Sequence, residues 1–156
     1  KRKYYFTEEL KFFLSYCKKN KFSMDKMFDI KGSFAGAIGI PQFMPSNIEK
    51  YGKDGNSDKK IDLFNVPDAI KSAAHFLEKK NWRKGGDIII LEPKNLDKYE
   101  INRAITKCKN TYIVLDGKKK YISNNFCVLK RYNNNNNYAM VVYELSVEIK
   151  KRYYNS

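Results

Sequence analysis

Apolar residues near the start of the chain recur at the three-to-four-residue spacing of an amphipathic helix. This spacing predicts a helix over residues 7–19, with Thr7 as the N-cap and with Glu8 and Glu9 in the first turn, where the helix dipole favours negative charge. The predicted apolar face consists of Leu10, Phe13, Leu14 and Cys17.

The same spacing predicts two more helices in the first half of the chain. Ser23 would cap a short helix that ends at Phe28, and Asn65 would cap a longer helix with Pro67 in its first turn. A pair of glycines follows the longer helix. The predicted apolar face of this helix consists of Val66, Ala69, Ile70, Ala73, Phe76 and Leu77.

Strand-like patterns appear in the second half. Residues 87–92 predict a strand, residues 96–105 a short helix, and Tyr112–Leu115 with residues 120–122 a hairpin that turns at Asp116-Gly117. These elements together predict a small α/β lobe.

The end of the chain predicts a helix. It follows a run of five asparagines, residues 133–137, whose composition is typical of a flexible low-complexity loop. The helix begins at Tyr138, and its predicted packed face consists of Ala139, Val142, Tyr143, Leu145, Ser146 and Ile149.

Composition limits the possible functions without choosing among them. The chain has 156 residues, of which 42% are hydrophobic, so it is long enough for one folded domain and too apolar to be disordered over most of its length. It contains no run of the length of a membrane span and no signal peptide. Lys and Arg number 31 against 17 Asp and Glu, a net charge of +14. This excess favours nucleic acid, acidic lipid headgroups or an anionic cell-wall polymer as the partner, and it is equally typical of an AT-rich genome.

Three cysteines are too few for a disulfide scaffold and show no C-x-x-C spacing. We expect Cys17, Cys108 and Cys127 to be buried thiols, with a bridge between Cys108 and Cys127 as the alternative.

The loop of residues 54–62 has the spacing of a calcium-binding loop. Oxygen side chains occupy its positions 1, 3, 5 and 9, and the carbonyl of Lys60 stands at position 7. The match is partial, because Lys59 replaces the usual glycine at position 6 and Asn65 replaces the usual glutamate at position 12. The alternative is a solvated turn rich in Asp and Asn.

The segment of residues 32–46 is rich in glycine and nearly free of charge, so another part of the protein or a ligand must approach its backbone closely. It is either a packed loop and helix start in the core or the wall of a cleft for a polar polymer. In the second case Ser33 and Gln42 would supply the donors and acceptors that sugar hydroxyls and amides require.

These residues resemble a known family. Residues 32–39 read GSFAGAIG, residues 41–46 read PQFMPS, and residues 68–70 read DAI, and the match resumes with RYN at residues 131–133 and YAM at residues 138–140. The pattern resembles the membrane-bound lytic transglycosylase B family of bacterial enzymes that cleave peptidoglycan. The resemblance covers residues 5–87 and 124–150.

The resemblance implies an α+β fold that is mainly α. Residues 1–86 and 124–156 would form a lysozyme-like helical domain with an EF-hand-like loop, and residues 87–123 would form the small α/β lobe. The family positions for glycan contact fall on Ser33, Gln42, Phe43, Met44, Tyr132, Asn133 and Tyr138. The family ligands for a structural calcium ion fall on Asp54, Asn56, Asp58, the Lys60 carbonyl and Asp68.

The family reaction cleaves the β-1,4 bond between N-acetylmuramic acid and N-acetylglucosamine and leaves a 1,6-anhydro product. One glutamate acts first as acid and then as base. Its motif is absent from this sequence, where the nearest string, Glu49-Lys50-Tyr51-Gly52, is one residue short and in the wrong place. We therefore expect the chain to be the C-terminal part of a longer enzyme, and we name no catalytic residue.

Three hypotheses follow from these expectations. The chain is part of a lytic transglycosylase, or an inactive module that binds peptidoglycan, or, with least support, a basic domain that binds nucleic acid. Under the first, we expect a location in the bacterial cell envelope or periplasm, glycan strands as the partner, a membrane only through an upstream anchor, and a monomer.

Overall fold

The computed structural model describes residues 2–90, 112–115 and 117–154. They form two compact units, Lys1–Phe76 and Leu77–Ser156. Most described residues are helical and the rest include a small antiparallel sheet, which confirms the predicted α+β class, mainly α. The predicted division into a helical domain of residues 1–86 and 124–156 and a lobe of residues 87–123 stays a prediction.

Four helices begin in the first unit. They are α1 (Arg2–Lys19), α2 (Met24–Asp29), α3 (Pro45–Tyr51) and α4 (Val66–Lys79). The predicted cap of α2 is confirmed, because the Ser23 side chain accepts a hydrogen bond from the Lys26 N–H. The buried core of this unit consists of Tyr16, Cys17, Ile38, Phe43, Ile48, Leu63, Ala69 and Phe76.

The predicted start of α1 is wrong. The helix begins at Arg2, so Thr7 lies inside it and its hydroxyl donates to the Lys3 carbonyl one turn earlier. Glu8 and Glu9 therefore lie in the middle of α1, not in its first turn. The helix extends past Thr7 toward the N-terminus through the aromatic residues Tyr4, Tyr5 and Phe6.

The predicted apolar faces are buried only in part. Leu10 and Leu14 are exposed while Cys17 is buried, and in α4 Ala69 and Phe76 are buried while Val66 and Ile70 are exposed. In α1 and α4 the predicted apolar face is therefore wider than the part of it that is buried. Periodicity shows which residues share a face, but not how much of that face other elements cover.

The glycine-rich segment approaches its neighbours closely, as predicted. Ile38 forms isolated β-bridges with Gly32 and with Phe43. Gly39 has φ +73°, and a Cβ atom on it would lie 2.5 Å from the Leu63 Cβ. Only glycine fits there without strain, because the backbone is left-handed and no space is left for a side chain.

The described residues of the second unit form the sheet and two helices. The strands β1 (Ile89–Ile90), β2 (Tyr112–Leu115) and β3 (Lys118–Ile122) are antiparallel in the order β1-β3-β2. The helices are α5 (Asn124–Tyr132) and α6 (Asn136–Tyr154). The core cluster of this unit consists of Ile89, Ile113, Ile122, Phe126, Cys127, Leu129, Ala139 and Met140.

The predicted hairpin is confirmed. Tyr112 pairs with Tyr121 and Ile113 pairs with Lys120, and Gly117 turns the chain at φ +70°. Residues 89–90 confirm part of the predicted strand of residues 87–92, and the predicted helix of residues 96–105 lies outside the described residues.

The expectation of three thiols is wrong for one cysteine. Cys127 is disulfide-bonded, whereas Cys17 is a buried free thiol. Burial raises the pKa of Cys17, which keeps it protonated. Cys108 lies outside the described residues.

The asparagine run is an ordered cap, not a flexible loop. The Asn135 Oδ1 accepts hydrogen bonds from the N–H groups of Asn137 (2.7 Å) and Tyr138 (3.3 Å), so α6 begins at Asn136, two residues before the predicted start. The predicted packed face is correct at Ala139 and wrong at Leu145 and Ile149, which are exposed.

Candidate functional site

A recess in the first unit brings the glycine-rich segment together with α1. Its volume is about 280 Å³. Phe6, Leu10 and Phe13 line it from α1, and Gly32, Ser33, Ala35 and Gly36 line it from the segment. Small residues on one wall leave room for a ligand to contact backbone, and aromatic rings on the other suit the apolar face of a sugar.

Ser33 is exposed and held in a turn. Its N–H donates to the Ala37 carbonyl (2.8 Å), and its Oγ accepts from the Ala37 N–H (3.1 Å). These bonds leave the hydroxyl proton free to be donated outwards, because a serine hydroxyl has one donor and two lone pairs.

Gln42 is oriented by its own segment, although it does not line the recess. Its backbone has φ +51°, and its Nε2 donates to the Gly39 carbonyl at 2.8 Å. No hydrogen bond reaches its Oε1 from any described residue, so the amide presents an acceptor to solvent. Met44 is half-buried, with its methyl group 4.0 Å from the position of a Cβ on Gly36.

Phe43 is placed differently from its predicted role. Its side chain is 2% exposed, and its ring packs against Phe76 at a centroid distance of 5.9 Å. Its backbone N–H and carbonyl are both bonded to Ile38. This burial argues against direct contact with a ligand and assigns Phe43 to support of the segment.

Glu9 is a carboxylate inside the recess that the sequence pattern did not identify. It is 7% exposed, its Oε1 accepts from the Ser46 hydroxyl at 2.7 Å, and its Oε2 accepts from the Ser46 N–H at 2.9 Å. The N-cap residue of α3, Met44, makes no side-chain hydrogen bond to the helix, so Glu9 takes the place of a capping side chain.

The predicted residues of the second unit form a stacked pair of tyrosines. The rings of Tyr132 and Tyr138 are 6.4 Å apart with planes 12° from parallel. Burial raises the pKa of both hydroxyls, and the proximity of Tyr138 raises that of Tyr132 further, so both stay protonated as donors at neutral pH. Asn133 follows Tyr132 at the end of α5 and is exposed.

The loop of residues 54–62 folds on its own backbone. The two carboxylate oxygens of Asp54 accept from the N–H groups of Ser57 (2.6 Å) and Lys59 (2.7 Å), and Asp58 accepts from the Lys60 N–H (2.8 Å). Desolvation raises the pKa of Asp54, but hydrogen bonds from Lys59, Ser57 and Asp58 lower it more, and the net pKa is below its usual value.

Asp68 ties both ends of the loop to α4. It is fully buried, its Oδ1 accepts from the Gly55 N–H and its Oδ2 from the Asp62 N–H, each at 2.7 Å. Within residues 2–90, 112–115 and 117–154, no three acidic, histidine or cysteine side chains are grouped to hold a metal ion. Asp54 and Asp68 thus both hold the loop through backbone N–H groups.

Residues 1–147 match the transglycosylase SLT domain family, SLT_2. The chain belongs to the transglycosylase SLT domain family.

Three relatives of this transglycosylase domain span it almost fully. The membrane-bound lytic murein transglycosylase B of Escherichia coli is 30% identical over 93% of this chain and 46% of its own length. The lytic transglycosylase Slt35 of E. coli, solved in complex with calcium, is 29% identical with a TM-score of 0.76 over 92% of this chain and 53% of its own. The lytic transglycosylase SltB1 of Pseudomonas aeruginosa is 26% identical with a TM-score of 0.74, over 97% of this chain and 58% of its own length.

The transglycosylase domain thus spans about half the length of the relatives it matches. None of the helices in the described part of the chain is long and apolar enough to cross a membrane.

Two polar side chains that anchor the loop were also missed by the sequence analysis. Asn20 is buried, and its Oδ1 accepts from the Ile61 N–H at 2.9 Å. The Tyr16 hydroxyl accepts from the Leu63 N–H at 3.3 Å. The partners are more than 40 residues apart, so no local pattern pairs them.

Proposed function

We propose that this chain is the glycan-binding part of a lytic transglycosylase that acts on peptidoglycan. The observation that carries the proposal is the family match over residues 1–147. Within that range, Ser33 and Gln42 are exposed on the glycine-rich segment, which is held by hydrogen bonds between its own residues. The relative named a murein transglycosylase supports the same substrate.

The proposed reaction is that of the family. An acid protonates the leaving oxygen of the β-1,4 bond between N-acetylmuramic acid and N-acetylglucosamine. The resulting carboxylate takes the proton of the muramic 6-hydroxyl as that oxygen attacks the anomeric carbon, which gives a 1,6-anhydro product without water. The roles of this chain are to bind and to orient the strand.

Glu9 is not the proposed acid. It lies in the recess, but both its oxygens accept hydrogen bonds from Ser46 at the start of α3, so its carboxylate serves to cap that helix. We therefore name no catalytic residue among the 156. A module that binds peptidoglycan without cleaving it is the second candidate, favoured by the absence of the family glutamate motif from the sequence.

The proposed contacts divide between the two units. In the first, Ser33 and Gln42 hydrogen-bond the sugar amide and hydroxyls, and Met44 contacts the ring. In the second, Tyr132 and Tyr138 donate their hydroxyls and Asn133 supplies an amide. Phe43 supports the segment from the core.

Analysis of the products by mass spectrometry tests the reaction. Purified peptidoglycan is incubated with this chain and with the full natural protein that contains it. We expect 1,6-anhydro-muropeptides from the full protein only. Products from the 156 residues alone would contradict the assignment of the acid, and binding without products from either protein would favour the second candidate.

A variant of Gln42 separates binding from folding. Gln42→Gly removes the amide and relieves the left-handed backbone, so we expect unchanged or greater stability together with weaker sedimentation with peptidoglycan. The matched control is Asn47→Gly, a change on α3 outside the proposed contacts. Equal sedimentation of wild type and Gln42→Gly would remove Gln42 from the site.

We also propose that the loop binds calcium through Asp54, Asn56, Asp58, the Lys60 carbonyl and Asp68. The donor chemistry fits a hard cation, because every ligand is oxygen. A second observation is that Asn65 Oδ1, at loop position 12, is buried without a hydrogen-bond partner among the described residues. The complex of Slt35 with calcium supports the proposal. The bound ion would hold the loop closed and take no part in the reaction.

The proposed location is the bacterial cell envelope, on the periplasmic side. Peptidoglycan is found there, the relative of E. coli is named membrane-bound, and a disulfide at Cys127 is typical of an oxidising compartment.

A further inference from the structure

A second cavity lies in the first unit, on the side of α1 that faces the loop. Its volume is about 150 Å³, and α1, α3 and residues 59–61 enclose it. Ser33, Gln42 and Met44 do not line it. It shares Pro45 with the recess, but none of the proposed glycan contacts lines it, so its ligand does not depend on the proposed function.

The floor of this cavity is apolar. Phe12 and Tyr16 line it from α1, Ile48 from α3 and Ile61 from the loop. Ile48 and Tyr16 are 3% and 5% exposed. A cavity of about 150 Å³ with apolar walls holds a group about the size of a benzene ring.

The wall on the loop side is held in place before any ligand binds. Asn20 bonds the Ile61 N–H, and its Nδ2 donates to the Tyr16 carbonyl at 3.0 Å. Asp54 fixes the backbone of Lys59 in the left-handed region, at φ +67°. A site that is already formed loses less free energy to ordering when a ligand binds.

The rim of the cavity is positively charged. Lys19, Lys59 and Lys60 surround it with one acid, Glu49, which already pairs with Lys19 at 2.8 Å. Lys59 and Lys60 are exposed and form no ion pair with any described residue. The net charge of the rim favours an anion over a neutral ligand or a cation.

We propose that this cavity binds a small carboxylate with an apolar body of aromatic size. The body lies on Phe12, Ile48 and Ile61, and the carboxylate lies at the rim between Lys59 and Lys60. The volume of the cavity limits the apolar body of the ligand to about the size of an aromatic ring, and the two lysines favour a negatively charged group on it.

Benzoate is the probe, with benzyl alcohol and benzylamine as neutral and cationic controls of the same body. Each is titrated at constant ionic strength while backbone amide NMR shifts are followed. We expect benzoate to move the amides of Asn20 and Ile61, to bind more tightly than benzyl alcohol, and to leave the Ser33 turn unchanged.

A charge variant tests the role of the rim. Lys59→Gln with Lys60→Gln should weaken benzoate binding about 3-fold to 10-fold, in line with exposed charge pairs, and leave benzyl alcohol unchanged. Lys18→Gln with Lys31→Gln removes the same charge from exposed residues that do not line the cavity, and should leave benzoate binding unchanged. All four lysines are exposed, so both variants should fold.

Three results would overturn the proposal. They are no benzoate shifts at millimolar concentration, equal affinities for benzoate and benzyl alcohol, and equal losses in the two double variants. The last would show that net charge, and not the rim, attracts the anion.

Discussion

Glu9 lies on α1, but its carboxylate accepts hydrogen bonds from Ser46 on α3. Its carboxylate replaces the missing N-cap of a short helix that carries Pro45 and Ser46, directly after Met44. The glycine-rich segment is therefore fixed at its end by a single side chain from 37 residues earlier.

We predict that Glu9→Gln destabilises the protein by about 1–3 kcal/mol. The amide still accepts from the Ser46 N–H and donates to the Ser46 hydroxyl oxygen, so the loss comes from replacing two charge-assisted hydrogen bonds at a helix N-terminus with weaker neutral ones. Urea unfolding measures the change. Glu8→Gln is the control, since Glu8 forms only a solvent-exposed surface pair with Lys11, and such pairs contribute little to stability. Equal losses in both variants would show that Glu9 does not cap α3.

Gly39 determines how closely the glycine-rich segment packs on the stretch that follows the loop. Its amide neighbour Ile40 donates to the Leu63 carbonyl, and Leu63 is fully buried. The segment and the loop are in this way parts of one packed element, although 24 residues separate the two contact points.

Gly39→Ala should destabilise the protein by at least about 2 kcal/mol more than Gly85→Ala. Both glycines have φ +73°, so both variants carry the same backbone strain, but nothing lies within 4 Å of a Cβ on Gly85. Thermal unfolding of the two variants isolates the steric contribution of Leu63. If their melting temperatures fall equally, the close approach at Gly39 is absent.

The asparagine run controls the start of α6. Only one of its five members, Asn135, has a side chain that bonds the first-turn N–H groups of the helix, among the described residues. Tyr138 lies in that first turn, so the cap also places one ring of the tyrosine stack.

We expect Asn135→Ala to cost about 0.5–2 kcal/mol and Asn134→Ala to cost little, because the first removes a cap and the second leaves it in place. Chemical denaturation followed by circular dichroism gives both values. Stability that drops as much with Asn134→Ala would mean that the run acts as a whole and not through one cap.

At the scale of the whole molecule, 31 basic against 17 acidic residues set a positive field that works against a bound cation. Lys59 and Lys60 bring that field into the loop itself. Salt should screen this repulsion, since both lysines are exposed.

We predict that calcium raises the melting temperature of the protein. As ionic strength rises, this increase should fall less than it would at a calcium site without lysines, because salt screens the repulsion between the lysines and the ion. At a concentration 100 times the dissociation constant, the gain is about 2.7 kcal/mol. Calorimetry with calcium and with magnesium, on wild type and on Asp58→Asn, measures it. Asp25→Asn, an exposed change on α2, is the control, and an equal response in all three proteins would remove the loop as the site.

Local sequence determined the elements whose signals are contiguous. The cap at Ser23 and the hairpin at Gly117 follow from residues that are neighbours in the chain, because capping and turn geometry involve only a few consecutive residues. The motifs of residues 32–46, together with those at 68–70, 131–133 and 138–140, identified the family, which the match over residues 1–147 confirmed.

Only the tertiary structure decided what the polar side chains do. Glu9, Asn20 and Asp68 have the same local pattern as any exposed polar residue, and their partners become neighbours when distant segments pack. The same holds for the faces of α1 and α6, since periodicity fixes which residues share a face, and burial depends on what packs against it.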